Sequence, residues 1–152
     1  MTSLAPPGPD GRELLRCRLP ASLDALGEVL AQVETSLVSA GLPLDLALQL
    51  MLALDETVSN LATHATQVAG REVWVDISIL HHPDRIEAVI ADDGPPFDPS
   101  EAPLPHLADT LEERAVGGLG LLIVRNVMDE VRYDRLDGHN RLLLGKLLPP
   151  EA

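Results

Sequence analysis

Aromatic side chains make up only 2% of this 152-residue chain, one each of Trp, Tyr and Phe, although 45% of its residues are apolar. The core must therefore be aliphatic, and such cores fold because volume and patterning matter more than aromatic content. Cysteine is reduced to Cys17, which excludes an intrachain disulfide and fits a reducing compartment. A lone thiol of this kind reads as a small buried hydrophobe. Positive charge is scarce: 11 Lys and Arg stand against 24 Asp and Glu, a formal net charge of −13. A groove that follows phosphate backbones needs clustered basic residues, so no nucleic acid is expected as a partner. An acidic surface is also repelled by anionic lipid. No stretch approaches the ~20 apolar residues of a membrane-spanning helix. Met1 to Gly11 is interrupted by prolines and has neither a signal nor an anchor pattern. The reading is a cytoplasmic protein with no membrane association. A small anionic ligand would then be held by backbone N–H groups and a metal ion rather than by a basic patch.

What is present reads as one domain. Residues 1–11 form a disordered lead-in, and the folded domain is expected over 12–148. Glu13 to Leu19 alternates loosely as an edge strand closed by Pro20. A helix fits Ser22 to Ser39, with Ser22 as N-cap and Gly41 just past its end. Leu44 to about Thr66 is the longest periodic stretch, apolar at three- and four-residue spacing through Leu50, Leu54, Val58 and Leu61, and Gly70 breaks it. Glu72 to Leu80 alternates Val73, Val75, Ile77 and Ile79 inward, and Ile86 to Ala91 reads as its antiparallel partner across a turn at His81 to Asp84. Five prolines crowd residues 92–116, which predicts a long functional loop with a short helical piece near Leu107 to Arg114. A helix then runs from the Gly117–Gly120 string through Val124, Val127 and Met128. Val131 to Leu136 and Arg141 to Leu148 make a hairpin around Asp137, Gly138, His139 and Asn140. The order predicts an α+β two-layer sandwich, a mostly antiparallel mixed sheet with helices on one face.

Three short patterns carry candidate chemistry. Glu56 and Asn60 sit four apart on the long helix, so their side chains stack on one face. Two residues from Leu54 is a rotation of about 200°, which turns that face away from the apolar stripe. A carboxylate beside a carboxamide suits a magnesium ion that keeps its waters and bridges to phosphates; a solvated Glu–Asn pair is the plainer alternative. Asp92-Asp93-Gly94 ends a strand. A carboxylate there can accept a hydrogen bond from the exocyclic amine of a base, with Gly94 allowing close approach, although Asp, Gly and Pro also make ordinary turns. Gly117-Gly118-Leu119-Gly120 opens a helix, where backbone N–H groups and the helix N-terminus favour an anion, or else form a flexible hinge. It is neither a Walker A loop nor a Rossmann fingerprint. His81 and His82 show no metal-ligand spacing.

Taken in order, the stretch from Leu54 to Ala65, the Asp92–Pro99 box and the Gly117–Leu121 string resemble the ATPase superfamily shared by gyrase, MutL and sensor histidine kinases. Within it, the chain looks like the anti-sigma-factor serine/threonine kinases; Met128–Val131 and the terminal hairpin also resemble that branch. The resemblance covers about residues 12–148. It implies that ATP and Mg²⁺ are the cofactors, that Asn60 holds Mg²⁺, and that Glu56 orients or deprotonates the attacking hydroxyl. Asp92 would bind the adenine amine, Gly94 would pack near the base, and Gly118, Leu119 and Gly120 would face the phosphates. Arg114, on the loop, could reach the phosphate end, although a solvated charge is the plainer reading. His64 reads as a packed helix residue. Pro96 stands where many members of the superfamily have a second glycine, and Thr66 where an aromatic often follows.

The implied activity is phosphorylation of a small antagonist protein, the anti-sigma factor antagonist, with sequestration of a sigma factor or similar transcription regulator and homodimerisation. The alternatives are an ATP-dependent binding module without catalysis, and a histidine-kinase catalytic domain acting in trans. The last would need an attached helical hairpin with a phosphoacceptor His, for which 152 residues leave no room.

Overall fold

Alternating aliphatic residues build the sheet, and three-to-four periodicity builds the layer of helices laid over it. The computed structural model describes residues 11–96 and 118–150. In chain order these form β1 (Arg12–Pro20), α1 (Leu23–Ser39), α2 (Leu44–Asn60), a π-helical turn (Leu61–Ala65), α3 (Thr66–Ala69), β2 (Trp74–His81), β3 (Arg85–Asp92), α4 (Gly118–Val127), β4 (Glu130–Leu136) and β5 (His139–Leu147). The strands lie in the order β1-β2-β3-β5-β4, and every pairing among them is antiparallel. The expected lead-in over residues 1–11, apart from Gly11, and the expected helical piece at 107–114 lie outside the described residues.

Local signals account for the boundaries. The Ser22 hydroxyl accepts from the Ala25 N–H at 3.2 Å and caps α1. At the other end Gly41 takes φ +77°, Leu42 N–H reaches Leu37 C=O and Gly41 N–H reaches Val38 C=O, a Schellman closure. β1 is the edge strand, and its looseness has a cause: the register against β2 slips between Glu13 and Leu15, so Leu14 is an inserted bulge residue. The long helix differs from a single α-helix. It stays helical from Leu44 to Ala69, ending at Gly70 with φ +66°, but residues 61–65 wind as a π turn, with Thr66 N–H bonded to Leu61 C=O.

The terminal hairpin is tighter than the pattern indicates. Asp137 and Gly138 both have positive φ (53° and 78°), the requirement of a two-residue type I′ turn, which matches strand twist. His139 and Asn140 therefore belong to β5 rather than to the turn.

The core is aliphatic throughout. Val33, Leu37, Leu50, Leu54 and Val58 from the helices meet Val75, Ile77, Ile79, Ile86, Ile90 and Leu144 from the sheet, each essentially inaccessible to solvent. Among the core residues only methionine adds variety, through Met128. The opposite face of the sheet carries polar side chains, and there the Arg18 guanidinium lies 5.2 Å from the Trp74 ring centre. Cys17 is half-buried on the helix side, and burial, with a smaller contribution from Asp76, pushes its thiol pKa up, as befits an inert packing residue.

This packing predicts a contrast within α2. Leu54→Ala, at a fully buried position, should cost about 2–5 kcal/mol in urea denaturation. Leu48→Ala, at a position 52% exposed, should stay within about 0.5 kcal/mol.

Candidate nucleotide site

Strand alternation sends the two aspartates at the end of β3 to opposite sides. Asp93 is consumed in structure. Its carboxylate accepts from the Trp74 N–H at 2.9 Å and from Arg71 at 3.3 Å, tying the strand end to the start of β2. Asp92 turns the other way, toward the helices, and is buried at 5% exposure. Its Oδ1 accepts two hydrogen bonds, from the Gly94 N–H at 2.9 Å and from Asn140 Nδ2 at 3.0 Å. Its Oδ2 accepts none from the described residues. Because no sealed side-chain oxygen or nitrogen among the described residues lacks a partner, this oxygen remains accessible to solvent or ligand. The carboxylate thus presents one free acceptor.

Gly94 is glycine for a steric reason. A Cβ at that position would lie 2.9 Å from Asp92 Oδ1, 3.4 Å from Ala65 Cβ and 3.5 Å from Val73 Cγ1. The contact with Ala65 also shows how the helical layer meets this corner: the π turn that follows Asn60 ends against Gly94.

The residues that hold Asp92 come from the hairpin. Asn140 lies directly opposite Asp92 in the β3–β5 ladder. Its Nδ2 donates to Asp92 Oδ1 and to Pro95 C=O, the latter at 2.8 Å. Its Oδ1 accepts from Tyr133 Oη–H at 2.6 Å and from Arg135 at 2.9 Å. Arg135 also donates to Gly94 C=O at 3.2 Å. Sequence reasoning missed Tyr133, Arg135 and Asn140. An Asn two residues after Asp-Gly reads as a turn residue, and only the two-residue turn, with positive φ at both centres, moves it into the strand. The Asp-Gly pair was the available signal.

Glu56 and Asn60 lie on α2 and are half-buried. Neither side chain makes a hydrogen bond or ion pair with the described residues, whereas the neighbouring hydroxyls are occupied: Thr57 on Ala53 C=O, Ser59 on Asp55, Thr63 on Ser59 C=O. Asn60 is the last residue of α2 and Glu56 lies one turn before it. His64 is half-buried in the π turn. Gly118, Leu119 and Gly120 form the first turn of α4, which packs beside α2. Gly117 and Arg114 lie outside the described residues. Among the described residues no cluster of three His, Cys, Asp or Glu could hold a metal ion. His82 is instead bonded to Glu87 at 3.1 Å on the far side of the sheet.

Burial raises the pKa of Asp92 above the ordinary carboxylate value. The hydrogen bonds from Asn140 and Gly94 oppose this shift, Asp93 adds to it and Arg135 works against it. The two donors thus favour the charged carboxylate and offset part of the cost of leaving water.

Residues 19–146 match the family profile described as the histidine kinase-like ATPase domain, whose fold is an ATP-binding one. The chain is 33% identical over 103 residues to the serine/threonine-protein kinase BtrW of Bordetella bronchiseptica, covering 68% of this chain and 72% of that protein. It is 29% identical over 132 residues to the serine-protein kinase RsbW of Staphylococcus epidermidis, covering 84% and 82%. Among solved structures, the RsbU and RsbW domains of Rv1364c from Mycobacterium tuberculosis share the fold with a TM-score of 0.58 at 18% identity, over 90% of this chain and 33% of that one. The SiaB–SiaC complex from Pseudomonas aeruginosa does so with a TM-score of 0.51 at 17% identity, over 90% and 91%. The chain belongs to the histidine kinase-like ATPase family, in the branch of the anti-sigma-factor serine/threonine kinases.

Two outcomes follow from the geometry around Asp92. A native pKa above the unfolded one means that the stability due to this group is fully present below the unfolded pKa and is lost as pH rises through the native value. Asp92→Asn should therefore raise Tm relative to wild type at neutral pH, with the difference shrinking as the pH is lowered into the carboxylate range. Gly94→Ala forces the Asp92 carboxylate aside, and calorimetric titration should show ATP affinity reduced by about 10-fold or more, equivalent to one charge-assisted hydrogen bond.

Proposed function

We propose that this protein binds ATP·Mg²⁺ and transfers the γ-phosphoryl group to a serine or threonine hydroxyl of a small antagonist protein, while sequestering a sigma factor or similar regulator. The observation that carries the proposal is the buried Asp92 carboxylate, with Oδ1 saturated by Gly94 and Asn140 and Oδ2 open. A single fixed acceptor beside a glycine with no room for a side chain fits the amine edge of adenine.

In this reading the roles separate. Asp92 and Gly94 bind the base. Gly118, Leu119 and Gly120 give the phosphates the N-terminus of α4, and Arg114 is a further candidate at the phosphate end. Asn60 would hold the magnesium ion, which needs few protein ligands when phosphates and water supply the rest; when bound, it neutralises charge on the phosphates. Glu56, one turn away on the same helix face, takes the proton from the attacking hydroxyl. The hydroxyl oxygen forms the new P–O bond as the bond to the β-phosphate oxygen breaks, releasing ADP. Phosphoryl transfer asks mainly for such positioning and charge neutralisation. The protein is also read as a homodimer, which sedimentation equilibrium would show directly.

A second reading, an ATP-dependent binding module without catalysis, draws on one observation: no described side chain orients Glu56. The two separate experimentally. With labelled ATP and the antagonist encoded beside this gene, wild type should label the antagonist. Glu56→Ala should retain ATP binding and lose about 100-fold or more of the transfer rate, as for removal of a general base. No label from wild type, under conditions where ATP binds, would remove the kinase reading and leave the binding module.

A further inference from the structure

The amide of Asn140 has no freedom to reverse. Both of its protons go to acceptors, Asp92 Oδ1 and Pro95 C=O, and its oxygen receives two donors, Tyr133 and Arg135. Turning it over would set N–H against the Arg135 N–H and oxygen against oxygen at Asp92 and Pro95; the Tyr133 hydroxyl, donor and acceptor both, follows the orientation that the other three fix. Since an amide nitrogen donates and never accepts, the atom of Asp92 facing it must be an acceptor. The Gly94 N–H makes the same demand on that oxygen. The Tyr133 hydroxyl and the Arg135 guanidinium, both from β4, thus act on Asp92 through Asn140 without touching it.

We propose that Asn140, fixed by Tyr133 and Arg135, is the positioning residue for base selection: it locks Asp92 as an acceptor with only Oδ2 exposed, so that the site takes a base bearing an exocyclic amine and rejects one bearing a carbonyl there. The proposal rests on the reading of Asp92 as the base-binding residue. Its logic is one of proton placement. A buried carboxyl without such donors can take up a proton on Oδ2 and donate it to a carbonyl; two donors on Oδ1 favour the charged form and so favour Oδ2 as an acceptor. Burial already pushes Asp92 toward its neutral form, so the selectivity depends on the donors that oppose it, and Asn140 is one of two.

The test compares ATP with ITP, which carries a carbonyl where ATP carries the amine, by calorimetric titration of the full chain with magnesium at one pH. Wild type should favour ATP by about 10-fold or more. Asn140→Leu, which keeps the branched outline and removes the donor, should narrow that ratio by about 10-fold, and Tyr133→Phe should narrow it in the same direction by a smaller factor. A ratio unchanged in Asn140→Leu, with both affinities lowered together, would mean that Asn140 is merely structural and would overturn the proposal. If Asn140→Leu fails to fold, Tyr133→Phe decides, and an unchanged ratio there has the same meaning. A wild-type protein that does not distinguish ATP from ITP would overturn the reading of Asp92 itself.

Discussion

The hydrogen bond between Asn140 and Asp92, 3.0 Å long and buried, joins the end of β3 to the terminal hairpin at the corner proposed to bind the base. It exists because β3 and β5 are neighbours in the sheet with Asp92 opposite Asn140. The same ladder sets Leu142 opposite Ile90 and Leu144 opposite Ala88. A slip of one residue that turned β5 over would take Leu142 and Leu144 out of the core and Asn140 away from Asp92. One register therefore secures both the aliphatic core and the acceptor.

A buried carboxylate is costly for a marginally stable domain of this size, because an uncompensated charge in a low-dielectric interior disfavours folding. Here two donors offset part of that cost while leaving one oxygen open. The result is a group destabilising to the empty protein and suited to a ligand that brings the missing donor. Its neighbour shows the contrast. Asp93, partly exposed and bonded to Trp74 and Arg71, serves the backbone. Two adjacent aspartates thus divide into a proposed binding group and a brace according to the strand's alternation. The residues proposed for catalysis belong to a different element: Glu56 and Asn60 stand on α2, and the π turn that ends at Ala65 brings that helix against Gly94. Such turns are rare in helices and occur often at functional sites.

Much of the fold was legible because its signals are local. Ser22, Gly41 and Gly70 mark helix ends by chemistry that needs no tertiary context, and the Val73–Ile79 alternation states which face is buried. Asp92 and Gly94 stood out as candidates for the same reason, and the order of the three boxes identified the family. Tyr133, Arg135 and Asn140 were not legible, since their role depends on a ladder that pairs residues 48 positions apart. The π turn was also invisible, because a periodic apolar stripe continues through it without a break. The expected contributions of Arg114 and the loop before α4 fall on residues outside those described.

The most direct measurement is a crystal structure of the protein with ATP and magnesium. Asp92 Oδ2 is predicted to lie at about 2.9 Å from the exocyclic nitrogen of adenine, with Oδ1 still bonded to Gly94 and Asn140. Adenine bound elsewhere, or its amine met by Oδ1 after the Asn140 bond has broken, would contradict the assignment of Asp92 as a pre-set acceptor.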